Sequence, residues 1–412
     1  MWMNLSPLKR NRDFRYLYLG QFITFFGTMM SLVALPFQVY DLTHSTTAVG
    51  LLGVVELVPL LLTVFVGGAL ADMMDRRKML MTAELGMSVG IVGLIINALL
   101  LNQHLWVIYA IAAYLSALTG LHRPSLDALM PRLISNDEIQ SLSVLSMFKS
   151  TVCLVCGPAI AGLCIANIGL AWTYTVDLVT FVVSIGAMSR IQSIAPPEQQ
   201  QRPSFQLVYE AIRYAVSRQE LLGTFIIDFV AMILAMPNAL FPALALILGG
   251  TKTLGWLYAA PALGALVITV LSGWTQRIKR HGAAVALAAI AWGAAITCVG
   301  FMSQLGWVLF FLGLAGAFDC ISGIFRATIW NETIPNTLRG RMASLEMISY
   351  MSGPLLGNTQ IGFLASMTST QMAIQIGGTL CVVAVIVSAL LLPLFWRYCG
   401  RSLPTTQQQA DT

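Results

Sequence analysis

Residues 67–78 read GGALADMMDRRK and lie between two apolar runs, 47–70 and 79–101. Asp72 and Asp75 are followed at once by Arg76, Arg77 and Lys78. An ionised side chain at the centre of a bilayer costs about 2.5–3.5 kcal/mol. A turn this charged, flanked by runs this apolar, is therefore expected to sit just outside the hydrocarbon and to mark which side of a membrane it faces.

The rest of the chain agrees with that setting. It is 412 residues long, 57% hydrophobic and 10% charged, with a mean hydropathy of +0.77. Soluble domains carry roughly 25% charged residues, so a bilayer is the expected solvent for most of this surface. Twelve apolar runs are each long enough to cross as a helix: 14–40, 47–70, 79–101, 105–130, 139–167, 171–191, 220–249, 253–275, 282–303, 305–330, 341–367 and 370–396. Period-two alternation is absent, which excludes a β-barrel. The expected fold class is thus an all-α membrane protein of twelve spans.

Basic residues test that count, because they accumulate on the cytoplasmic side. Lys9, Arg10 and Arg12 precede the first span, and Arg76, Arg77 and Lys78 follow the second. Arg132 follows the fourth, Arg202, Arg213 and Arg218 the sixth, and Arg277, Lys279 and Arg280 the eighth. Arg339 and Arg341 follow the tenth, and Arg397 and Arg401 the twelfth. With twelve spans all of these share one face and Lys252 alone falls on the other. Both termini are then expected in the cytoplasm. No cleavable signal pattern opens the chain.

Residues 192–219 form the longest polar stretch, with Pro196, Pro197 and Pro203 ending the helix before it. An amphipathic surface helix is expected over 204–217. The chain divides there into a six-span half (1–191), the linker (192–219), a second six-span half (220–396) and a cytoplasmic tail (397–412). The halves repeat weakly. Gly120, Arg123 and Pro131 answer to Gly323, Arg326 and Pro335; Pro36 to Pro242; and GPAIAG from Gly157 to GPLLGN from Gly353, each offset by about two hundred residues. Two pseudo-symmetric halves around a substrate path leave such a trace.

The 67–78 stretch resembles the loop between helices 2 and 3 of major facilitator superfamily transporters: Gly, three residues, Asp, Arg, any residue, Gly, Arg, then Arg or Lys. Gly68, Asp72, Arg76 and Arg77 match, whereas Met73 and Asp75 stand where the pattern has Arg and Gly. FRYLYLGQF from Phe14, ALPFQVYDLTHSTTAVGLL from Ala34, HRPSLDALMPRL from His122 and IPNTLRGRMASL from Ile334 narrow the likeness to the enterobactin exporter group. That group is itself similar to macrolide efflux pumps and lysophospholipid flippases. The resemblance implies a bacterial inner-membrane, multi-pass, proton-coupled exporter of a siderophore or similar metabolite, serving iron acquisition. Multidrug or macrolide efflux and lipid flipping stay open as alternatives. It also implies a monomer, with a small molecule, protons and the bilayer as partners and no nucleic acid.

Several residues follow from the same likeness. Asp72 would pair with Arg339 and Arg341 at the start of the eleventh helix and hold an inner gate, with Gly68, Arg76 and Arg77 part of that gate. Gly157, Pro158, Ala161 and Gly162 resemble the GPxxGG antiporter motif with one Gly changed to Ala, and Gly353 and Pro354 are the counterpart. Helices 1, 4, 7 and 10 would line the cavity. Asp228, Asp319, Arg123 and Arg326 would then face substrate or water, with Phe225, Phe229, Phe318 and Phe325 as ring-stacking candidates. Phe25 and Phe26 belong to the same set of aromatics. Asp319 and Arg326 are seven residues apart, on one helix face. Asp319 or Asp228 is expected to carry the proton.

Plainer readings stand beside these. Asp319 would equally serve in a structural pair with Lys149 or Arg326, and Arg123 and Arg326 would equally snorkel to the interface. Glu56 and Asp177 suit structural or gating roles. Cys153 and Cys156 form CxxC inside a span, which suits helix packing. The four histidines, His44, His104, His122 and His281, are scattered and suggest no metal. No GxxxxGK[ST] loop is present, so ATP use, an enzymatic reaction and a cofactor are not expected.

Overall fold

The computed structural model describes residues 6–73, 75–135, 138–192, 212–335 and 338–400, without the side chains of 65–73, 128, 276, 339–341 and 343–344. Among the described residues there is no strand. Twelve long helices run in order: α1 (Arg12–Thr43), α2 (Thr46–Met73), α3 (Arg76–Leu99), α4 (Leu105–Leu129), α5 (Ile139–Ile168) and α6 (Leu170–Met188). There follow α7 (Gln219–Leu248, interrupted), α8 (Thr251–Val270), α9 (His281–Phe301), α10 (Leu305–Thr333), α11 (Arg339–Met367) and α12 (Thr370–Leu391). Eleven of them are long and apolar enough to cross a membrane. The exception is α11, 29 residues long, whose sequence carries Arg339, Arg341, Glu346, Asn358 and Gln360.

Local chemistry sets the helix ends. Asn11 caps α1 by accepting from the Phe14 N–H at 3.0 Å, and Ser369 caps α12 by accepting from Met372 N–H at 3.2 Å. The expected loop at 67–78 is shorter than its charge suggested: α2 runs to Met73 and α3 begins at Arg76. Asp75, at the position where the superfamily pattern has Gly, is the N-cap of α3. It accepts from the N–H groups of Arg77 and Lys78. The α7–α8 turn has Gly249 and Gly250 at φ 133° and 88°, a region closed to most side chains.

Packing repeats with a six-helix offset. In the first half α1 packs on α5 and α6, α2 on α4, and α3 on α4 and α6; in the second, α7 packs on α11 and α12, α8 on α10, and α9 on α10 and α12. The sequence repeats fall on matching places. An added Cβ at Gly157 on α5 would strike Met29 of α1, and one at Gly353 on α11 would meet Met232 of α7. This is the pseudo-symmetric twelve-helix arrangement read from the sequence.

The halves meet through α2 against α11 and α5 against α8, pairs that exchange under the pseudo-symmetry. Gly50 and Gly53 of α2 lie on the backbone of α11 at Leu355, Asn358 and Thr359, and Gly362 lies on Thr46 and Gly50. Gly162 of α5 lies on Gly255 of α8, and Gly255 in turn on Pro158 and Ala159. Thr359 Oγ1 donates to the Gly50 carbonyl at 2.9 Å. Glycine removes the side chain that would hold two backbones apart, so helices in lipid can touch there. These contacts all lie in the part of the bundle away from the termini.

The opposite end is tied by polar contacts within each half. Arg77 donates to the carbonyls of Met188 and Ser189 at 3.0 and 2.7 Å, capping the end of α6. Of the expected surface helix, 212–217 is helical and the remainder lies outside the described residues. Ala215 is buried with Leu221, Ile334 and Met342, and Tyr214 Oη donates to the Thr333 carbonyl at 3.0 Å.

Candidate functional site

The helix α7 does not run through. Its first part, Gln219–Ala235, ends before Pro237; a short 3-10 turn, Asn238–Leu240, leads into Phe241–Leu248. Broken helices strand backbone polar groups that lipid cannot satisfy. Two side chains supply partners here. Asn358 Oδ1 of α11 accepts from Ala239 N–H at 3.1 Å, and Tyr258 Oη of α8 donates to the Asn238 carbonyl at 3.1 Å.

Below the break, towards the termini, α7, α10 and α11 enclose a cavity of about 90 Å³. Asp228, Arg326, Trp330, Phe225, Glu346 and Tyr350 are among its lining residues. Arg326 Nη1 pairs with Asp228 Oδ1, and Nη2 lies 3.8 Å from Asp319 Oδ1. The guanidinium thus stands between two carboxylates, one from its own helix and one from α7. The Arg326 and Asp228 side chains are each 19% exposed, and Asp319 is 46% exposed. Beside them the rings of Phe225 and Trp330 approach to 4.8 Å, tilted by 41°. Trp330 Nε1 donates to Thr224 Oγ1 at 2.8 Å, which fixes the indole.

This site offers a delocalised cation, carboxylates able to exchange that cation, and flat aromatic surface. Small-molecule sites usually have volumes of about 300–1,000 Å³. A larger ligand would need the helices to part.

The expected residues are only partly brought together. Asp228, Asp319, Arg326 and Phe225 converge. Phe229 lies on the α11 side, against Gly353. Phe325 is 2% exposed and packs near the His281 ring at 5.6 Å, so it is core rather than lining. Phe318 is partly buried against the same core. Arg123 is elsewhere, paired with Asp127 one turn on at 3.4 Å. Lys149 does not meet Asp319; its ammonium lies over the Phe25 ring at 5.8 Å, in the first half. Asp177 is a satisfied buried carboxylate that accepts from Ser31 Oγ and Thr180 Oγ1. Glu56 stays on α2, where its backbone carbonyl accepts from Ser116 Oγ of α4 at 2.7 Å. Gly68, Asp72, Arg339 and Arg341 lie outside the described side chains.

Six lining residues were not expected from the sequence: Thr224, Ala327, Trp330, Glu346, Ser349 and Tyr350. Trp330 is one helical turn beyond Arg326, a signal that was readable. Glu346 and Tyr350 sit on α11, which an argument limited to helices 1, 4, 7 and 10 leaves out. Glu84, an ionisable residue within a span, was also passed over, and its partner His122 was read only as one of four scattered histidines.

The sequence profile of the transmembrane secretion effector family matches residues 3–396. The chain is 27% identical over 393 residues to the enterobactin exporter EntS of Citrobacter koseri, covering 95% of this chain and 94% of that one. It is 27% identical over 396 residues to EntS of Escherichia coli O1:K1 / APEC, covering 95% of each. Among solved structures, a POT family transporter in complex with 5-aminolevulinic acid superposes with a TM-score of 0.75 at 11% identity, over 93% of this chain and 97% of that one. The nucleoside transporter NupG superposes with a TM-score of 0.73 at 10% identity, over 93% and 98%. These structural likenesses carry the fold alone, and the profile carries the family. The chain belongs to the transmembrane secretion effector family and is a multi-pass membrane transporter of the major facilitator fold, not an enzyme.

Proposed function

We propose that this transporter exports an anionic aromatic metabolite of the siderophore class from the cytoplasm of a bacterium across its inner membrane, driven by inward proton flow. The observation that carries the reading is Arg326 beside the Phe225–Trp330 pair in one cavity. A guanidinium attracts a catecholate or carboxylate, and aromatic faces stack on its rings. The full-length likeness to proteins named enterobactin exporters supports the same class.

The mechanism is alternating access. The halves 1–191 and 220–396 would rock about the site, with 192–219 as their tether. Basic residues gathered at the terminal end support a cytoplasmic position for it. The glycine seam at the other end would then be a closed periplasmic gate. An anionic substrate would compete with Asp228 and Asp319 for Arg326. A carboxylate released from that pairing would accept a proton, and proton loading would thus be tied to substrate occupancy. Asp72, Arg76 and Arg77 with Arg339 and Arg341 would form the cytoplasmic gate, and Gly157–Pro158 with Gly353–Pro354 the points where helices bend.

A second reading, export of cationic drugs, is favoured by one observation. The cavity lining has two acids, Asp228 and Glu346, against the single cation Arg326. One experiment separates the two. Small molecules are measured by mass spectrometry in medium and cytoplasm of an iron-starved deletion strain and its complemented parent. Retention of a siderophore inside the deletion strain, with release restored on complementation, is expected. Unchanged siderophore in both compartments, with drug tolerance that follows the gene, would overturn the siderophore reading in favour of drug efflux.

A further inference from the structure

Three helices of the first half converge on a carboxylate that the site above does not use. Glu84 on α3 is fully buried. Its Oε1 accepts from Gln21 Nε2 of α1 at 2.6 Å and lies 3.3 Å from His122 Nε2 of α4. Its Oε2 is buried and has no hydrogen-bond partner. Glu84 is nine residues into α3, well inside the span. The His122 side chain is 15% exposed, so it lies between the sealed carboxylate and more open space.

Among the described side chains, His122 is the one ionisable group within reach of the Glu84 carboxylate. On α4, Arg123 is engaged by Asp127, and Tyr114 lies against Gly86, two residues from Glu84. On α6, Asp177 is satisfied by Ser31 and Thr180, and the buried hydroxyl of Ser184 has no partner. On α1, Tyr18 Oη donates to the Leu145 carbonyl at 2.8 Å. On α3 itself, Arg77 is turned to the end of α6. Gln21 gives one neutral hydrogen bond and no charge. A bare carboxylate in this setting is heavily penalised, and a single proton held by the Glu84–His122 pair removes the net charge.

We propose that Glu84 is a proton-binding site of the first six-helix half, with His122 passing the proton to and from it and Gln21 holding the carboxylate in register. In one loaded form the imidazolium Nε2–H donates to Oε1 as an ion pair. In the other, the N–H bond has broken, an O–H bond has formed on the carboxyl group, and the imidazole is neutral. The proton enters and leaves through the second imidazole nitrogen, exchanged with water. The use of this proton in transport rests on the proton-coupled reading above; its binding does not.

The test is infrared titration of the purified full-length protein in lipid nanodiscs, with pH stepped from about 5 to about 9. The wild type is expected to show a titrating carboxylic-acid carbonyl band that Glu84→Gln loses. That variant keeps a near-isosteric side chain within reach of Gln21. His122→Gln is expected to keep the band and move its midpoint by at least one pH unit, which a purely structural hydrogen bond would not do. An unchanged titration in Glu84→Gln, or a midpoint unmoved in His122→Gln, overturns the proposal. If either variant is poorly folded, pH titration of the His122 ring signals by nitrogen-15 NMR in the wild type decides: a single histidine-like step, with no second perturbation from a neighbouring carboxyl, overturns it as well. A Glu84 band that titrates as expected, with export that no pH gradient drives, supports proton binding and refutes the proton-coupled reading alone.

Discussion

Arg326 concentrates more interactions than any other charge in the cavity, and its replacement is the sharpest residue-level test. Removing the guanidinium leaves Asp228 and Asp319 facing each other without their shared cation. Breaking a buried pair typically costs about 3–5 kcal/mol; partial exposure of these groups reduces that to about 2 kcal/mol for Arg326→Ala, read as a lowered unfolding midpoint. Arg326→Lys is expected to fold well yet lose at least about tenfold in export, because an ammonium lacks the two-pronged reach to both carboxylates. Asp319→Asn is expected to abolish export driven by a pH gradient while preserving insertion. Full proton-driven export by that variant, measured in inverted vesicles, would remove Asp319 from the mechanism. The sequence made Asp319 and Arg326 neighbours through their seven-residue spacing. It could not have paired Arg326 with Asp228, since that contact crosses from α10 to α7. Nor could it show that Phe325 points into the core: each face of a helix in an apolar run looks alike until its neighbours are known.

Among the helices, α2 and α11 carry the tightest crossing between halves. Gly53→Leu would put a side chain into the Leu355 carbonyl. The expected outcome is a widened separation between the ends of α2 and α11 away from the termini, read as a longer spin-label distance by pulsed electron resonance; an unchanged distance would count against a seam held by glycine. Thr359→Val keeps the shape and removes one hydrogen bond, at a cost of about 1 kcal/mol. At the other end, Asp72→Ala is expected to lower export while membrane insertion stays normal, and undiminished export would argue against a gate there. Eleven of the helices were legible because apolar length is a local signal. The weak apolar character of α11 has a physical counterpart in its duties: Asn358 serves the break in α7, Thr359 serves Gly50, and Glu346 lines the cavity. The break itself is visible in sequence only as Pro237 and Pro242, and prolines alone do not distinguish a bend from an interruption.

At the scale of the whole molecule, two six-helix halves touch chiefly along two crossings and hold their polar groups in separate places: Arg326 with its carboxylates in one half, Glu84 with His122 in the other. The pseudo-symmetry was faintly readable in the paired Gly-Pro segments, and the packing pattern repeats it helix for helix. What the sequence concealed is how unlike the halves are chemically. Arg123 and Arg326 hold corresponding positions in the repeat, yet one pairs with a partly exposed Asp127 on its own helix and the other spans two helices. The glycine seam carries a final implication for how such a protein diversifies. Its contacts are made largely by main-chain atoms and by the lack of side chains, so they record nothing about what is carried. Residues on α7 and α10 are free to drift toward a new cargo while the seam stays as it is, and a lineage built this way can change its chemistry without relearning how to close.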